Sequence, residues 1–247
     1  MTHSSNDRSQ WQFIYKLGGM AAIGAVLVGV LEILITFLPG GNTVQETVQD
    51  WFMLFQQNWF MGLRDLGLLN IMLDALALLI FFALYFAHRE SPYQPYAALA
   101  GVVSFLGIGV FLATNRAFPM LALSWQYAAA TTDAQRAVIE AAGQSMLSVG
   151  QSHTPGTFLG FFLTEAAGVM MSVVMLRAKI FSKASAYTGI IGFALLAAFE
   201  ILSSFVAGLS AVMMGFAMVG GLLSMAWYIL VALRLFQLGR TVSHATA

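Results

Sequence analysis

The chain has 247 residues, 59% of them hydrophobic and only 9% charged, with a formal net charge of zero and no cysteine. A soluble domain carries roughly 25% charged residues, so this composition excludes a fully wetted surface and points to one that faces lipid or other apolar protein. Neutrality without a basic run argues against nucleic acid as a partner, and the lack of cysteine excludes disulfides and thiolate metal sites.

The first sixteen residues are polar and mildly basic and read as a cytoplasmic tail, 1–16. The apolar run that follows, 17–38, exceeds the roughly 7–15 residues of a signal-peptide core and so reads as a retained helix. Crossing a hydrocarbon layer about 30 Å thick takes roughly 20 apolar residues. Six stretches qualify: 17–38, 66–87, 96–115, 156–176, 187–206 and 211–235. Each is a continuous apolar run without period-two alternation, which predicts helix rather than strand. The expected fold is therefore an all-α, polytopic transmembrane bundle of six helices. It forms one membrane domain, 17–236, followed by a cytoplasmic tail, 237–247.

Lys and Arg set the expected orientation. With the N-terminus inside, the inner segments hold Arg8, Lys16, Arg89, Arg177, Lys179, Lys183, Arg234 and Arg240, and the outer ones only Arg64, Arg116 and Arg136. Eight against three is a positive-inside bias with both termini in the cytoplasm, as in a multi-pass protein of the inner (cytoplasmic) membrane.

Two outer loops, 39–65 and 116–155, are long enough for structure of their own. In the first, Thr43-x-x-Glu46 has the form of a capping box. Val44, Val48, Trp51, Phe55 and Trp59 then recur near helical spacing, predicting an amphipathic helix at the interface. In the second, Pro119 suits a first helical turn, and Thr132-x-x-Gln135 predicts a helix to about Gly150. Gln151 to Gly156 reads as a turn into the fourth span. A weak repeat links the first and fifth spans: Gly24-x7-Glu32-Ile-Leu-x-Thr-Phe37 and Gly192-x7-Glu200-Ile-Leu-x-Ser-Phe205. Duplication of an ancestral hairpin would give such a pattern.

The chemistry-bearing residues are few. Glu32, Asp74, Glu165 and Glu200 lie inside spans, and no Lys or Arg lies at comparable depth. At 1.5 Å per residue, Glu32 and Glu200 fall about 9 Å, Asp74 about 12 Å and Glu165 about 14 Å below the outer ends of their helices. Small and hydroxylic neighbours put these acids, with Asn70 one turn from Asp74, on helix-contact faces. Ionisable groups at such depth mark ion or ligand sites, or serve as neutral interhelical hydrogen-bonders. Arg64 and Arg116, at the outer ends of the second and third spans, are the candidate counterions. The four histidines show no zinc-ligand spacing, and Ser104, Ser172 and Ser224 have no neighbouring base. The expectation is thus no metal site, no cofactor and no catalytic residue; the residues leave enzymatic activity open but favour a protein that is not an enzyme.

Several stretches are similar to a family of bacterial integral membrane proteins of unassigned role, domain-of-unknown-function family 4386. They are Asn115-Arg-Ala-Phe-Pro-Met-Leu-Ala-Leu-Ser-Trp-Gln-Tyr127 with its continuation to Arg136, Ser172-Val-Val-Met-Leu-Arg177, 180–192, and the closing Trp227-Tyr-Ile-Leu-Val-Ala-Leu-Arg-Leu-Phe236. The resemblance implies a membrane architecture of six or seven helices and carries over no reaction. From the residues themselves, the leading expectation is a binding or transport protein. Its outward-facing cavity would be lined by Glu32, Asn70, Asp74, Glu165 and Glu200 for a proton, a cation, or a small or lipid-like molecule. The alternative is a non-catalytic accessory subunit of a larger membrane complex; the expected partners are the lipid bilayer and either further copies of the chain, as a homo-oligomer, or such a complex.

Overall fold

A computed structural model describes residues 3–37, 45–150 and 152–244, and its regular structure is entirely helical over those residues. In chain order the helices are α1 (His3–Phe37), α2 (Val48–Gln57), α3 (Trp59–Asp65), α4 (Leu68–Ala87), α5 (Gln94–Thr114), α6 (Ala117–Ala129), α7 (Asp133–Leu147), α8 (Phe158–Ala178), α9 (Lys183–Phe205) and α10 (Ser210–His244). Six helical segments are long and apolar enough to cross a membrane: Trp11–Thr36, Leu68–Ala87, Gln94–Ala129, Phe158–Ala178, Lys183–Phe205 and Ala211–Arg240. Large apolar side chains such as Leu27, Val102 and Leu222 stand exposed on their outer faces. Such a surface suits hydrocarbon and not water.

The six spans form a closed ring in the order α1, α4, α5, α8, α9, α10 and back to α1. Consecutive spans are thus neighbours, as short connections require, and α10 closes the ring by running antiparallel to α1. That closure explains why both terminal helices outrun the apolar segments read from the sequence. α1 starts at His3 and α10 continues to His244, so most of the stretches expected as tails are helical. Gly19 lies against the Phe236 ring, and Gly239 sits near the Gln12 carbonyl, so each helix supports the extension of the other.

Several crossings are close because one helix offers no Cβ. A Cβ on Gly107 of α5 would lie 3.0 Å from the Gly160 carbonyl oxygen of α8, and one on Gly220 of α10 3.0 Å from that of Gly192 in α9. Without a hydrophobic drive between helices in lipid, such close backbone packing is a main source of association. The largest buried cluster, including Tyr15, Leu84, Met171, Trp227 and Leu235, fills the ring toward the end where the chain begins and ends.

The opposite end, here the loop end, is covered by α2, α3, α6 and α7. Trp51, Phe52 and Phe55 of α2 are buried with Leu63, Met120 and Leu121 in a second cluster. The Ser124 hydroxyl of α6 donates to the Phe52 carbonyl (3.0 Å), tying the two connections together. Thr47 caps α2 through a reciprocal box with Asp50, one turn after the Thr43-Glu46 pattern, whose Thr43 lies outside the described residues. Trp59 stands on the separate short helix α3, exposed. Thr132 and Gln135 form the corresponding box of α7.

A buried acid pair under a histidine turn

Glu165 of α8 and Glu200 of α9 sit on neighbouring helices of the ring, in the half nearer the loop end. Close approach between the helices comes from Gly168, whose absent Cβ would collide with the Phe193 ring at 2.5 Å. Glu200 is completely buried and lies within electrostatic range of Glu165. Among the described residues, neither Glu165 nor Glu200 forms a salt bridge to Lys or Arg.

The partner of Glu200 comes from the turn before α8. Gly150 adopts φ +90° and His153 φ +62°, and a Cβ on Gly156 would strike the Val149 carbonyl oxygen at 1.7 Å. This left-handed, tightly closed turn directs His153 inward, where its Nδ1 lies 2.6 Å from Glu200 Oε2. Rings of Phe161 and Phe199 pack against the imidazole at 4.7 and 4.8 Å. A non-glycine residue at positive φ carries a steric cost that its surroundings must hold in place. The His153 side chain remains 36% exposed whereas that of Glu200 is 0% exposed. One ring therefore touches both the surface and the buried acid.

Glu200 Oε1 and Glu165 Oε2 are buried and have no hydrogen-bond partner among the described residues. Carboxyl groups within electrostatic range of each other do not ionise independently, and each orphaned oxygen calls for a donor. A protonated group or a water supplies one, and a small or organic cation supplies the charge as well. A metal cage fits less well, since no three His, Asp or Glu side chains group around a common point among the described residues.

The other residues singled out from the sequence lie elsewhere. Glu32 of α1 accepts from Arg64 of α3 at 2.8 Å, and Arg64 also donates to Asp65 at 2.9 Å and to the Thr36 hydroxyl. Arg64 is almost fully buried, while 41% of the Glu32 side chain is exposed. Burial raises the Asp65 carboxyl above its ordinary range, opposed by the adjacent guanidinium. Asp74 of α4 has no hydrogen bond among the described residues and lies within electrostatic range of Tyr228 on α10. The Asn70 and Asn115 side chains both lie near Gly67, and Asn115 donates to the Leu66 carbonyl (3.1 Å). Arg116 is buried at the start of α6, yet among the described residues it pairs with none of the acids.

The five polar positions expected to line one cavity therefore divide into an ion-paired group at Glu32, a lone Asp74 near Tyr228, Asn70 beside Gly67, and the Glu165–Glu200 pair. His153 was missed as a member of the site. The signal for it was a histidine inside a glycine- and proline-bearing turn, but its partner stands 47 residues away in the chain. Comparison with family models, curated proteins and solved structures gives no match for this chain.

Proposed function

We propose that this chain is a multi-pass protein of a bacterial inner membrane that binds or carries a proton or small cation at Glu165 and Glu200, with His153 as the route of exchange. The observation that carries this reading is the contact from the half-exposed His153 to the fully buried Glu200, beside a second buried carboxyl group. Histidine exchanges protons near neutral pH, and intramembrane acids are most often kept for ion or proton movement. Both termini lie in the cytoplasm in this proposal, because basic residues cluster at the end of the ring away from α2, α3, α6 and α7. His153 then faces the outside. Membership of the unassigned bacterial family named above belongs to the same proposal.

The test is an infrared titration of the purified protein in lipid, following protonated carboxyl groups as the bulk pH is changed. Wild type should show a titrating carboxyl signal that Glu165→Gln and Glu200→Gln each diminish, and that His153→Ala leaves present but slower to exchange with deuterium. Identical signals in wild type and both glutamine variants would end the reading.

A further inference from the structure

A second site lies on the opposite wall of the ring. α1 and α10 part toward the loop end, and between them runs a groove of ≈ 540 Å³, within the range of sites for small molecules. Its outer rim is formed by Met214 and Met218, each about three-fifths exposed, and its floor includes Leu73 of α4. The groove is therefore reached sideways, from the lipid rather than from water. Its wall is almost wholly apolar apart from Glu32 and Thr36 at the loop end and Ser224 and Tyr228 deeper in. Along α1 it runs from Ala25 to Thr36, about 16 Å at 1.5 Å per residue, which suits a medium-length alkyl chain.

Charge decides the occupant. An alkyl tail gains little by leaving lipid for an equally apolar groove, so selectivity must come from the headgroup. At the polar end Arg64 is shared by two carboxylates, Glu32 and Asp65, leaving the group one negative charge in excess. Glu32 is the member that lines the groove, and it is the more exposed of the two. That excess charge favours a cationic head over a neutral or anionic one. The methionine wall, with Met225 beside Met214 and Met218, adapts to tails of different shape.

We propose that this groove binds a single-chain amphiphile with a cationic head, such as an alkylammonium ion, the head against Glu32 and the tail along α10. The site is separate from the acid pair and stands without it. Gly221 offers a clean block, because it lines the groove and a Cβ placed there meets nothing within 4 Å. Leucine at that position fills the groove without disturbing the helix.

The experiment is equilibrium binding of radiolabelled decyltrimethylammonium to the full-length protein in phosphatidylcholine nanodiscs, with decanol and decyl sulfate as uncharged and anionic competitors. Expected are saturable binding to wild type, affinity at least about tenfold lower in Glu32→Gln, and loss in Gly221→Leu. Decyl sulfate should fail to compete, and decanol should compete only weakly. Unchanged binding in Gly221→Leu would remove the groove as the site. Equal affinity in Glu32→Gln, or full competition by decanol, would show that a lipid tail of any kind fills it and overturn the cationic assignment. Loss in Glu200→Gln with wild-type binding in Gly221→Leu would place the cation at the acid pair, refuting this inference and not the preceding one.

Discussion

Gly189→Ala tests the packing on which the α8–α9–α10 wall depends. The added Cβ would lie 2.0 Å from the Ser172 hydroxyl oxygen and 2.4 and 2.5 Å from Cδ1 and Nε1 of Trp227. Carbon contacts settle near 3.5–4.0 Å, so a neighbour must move by about 1 Å or more. Ser172 can rotate, although that gives up its bond to the Gly168 carbonyl (2.7 Å). Trp227 cannot easily yield: it is fully buried and held between Phe193 and Tyr228, with ring centroids 5.1 and 5.2 Å away. Overpacking of this kind costs about 1–3 kcal/mol, and replacing a helical glycine by alanine returns about 0.5–1 kcal/mol. A net loss of about 1–2 kcal/mol corresponds to a Tm lower by about 2–8 °C for a chain of this size. The control is Gly101→Ala, where a Cβ meets nothing within 4 Å, and stability should hold or rise slightly. Scanning fluorimetry of the intrinsic tryptophans reads both variants. If Gly189→Ala melts with or above Gly101→Ala, the three helices do not meet as described.

Two further predictions concern the loop end. Hydrogen bonds from the Thr47 side chain and backbone hold the Asp50 carboxyl below its ordinary value of 3.8, so the α2 cap is present above that pH and is lost as pH falls through the depressed value. Amide exchange at the start of α2 should therefore quicken only in acid, and Thr47→Ala should remove that pH dependence. Arg64→Met strands Asp65, only 12% exposed, and Glu32, which solvent already screens. The expected loss is about 1–3 kcal/mol by thermal denaturation, below the full value of a broken buried pair. Because the folded Asp65 value lies above the unfolded one, protonation favours the fold, and the deficit of Arg64→Met should shrink as pH falls through that raised value. A deficit that grows in acid would refute the assignment.

The six apolar spans were legible because span length is a property of the linear sequence, set by bilayer thickness. Their ends were not. Whether the polar residues before Leu17 continue a helix depends on α10 lying alongside, and no local pattern reports that. The acids show the same limit more sharply. Glu32 and Glu200 stand in matching local sequences at matching depth, yet one is 41% exposed and ion-paired while the other is wholly buried against a histidine. Depth follows from counting residues along a helix. Direction around the helix has meaning only once the neighbours in the ring are known, and those neighbours come from remote parts of the chain.

That difference in surroundings divides the ring electrically. Glu32 receives its compensating charge from Arg64, a cation at any ordinary pH, so the α1–α4 side holds a permanent ion pair with one acid in excess. The acid pair of α8 and α9 has no such guanidinium or ammonium among the described residues; its contact is the His153 imidazole. The two sides of the ring therefore differ in their charge partners: a guanidinium meets the acid of α1, and only an imidazole contacts the acid of α9.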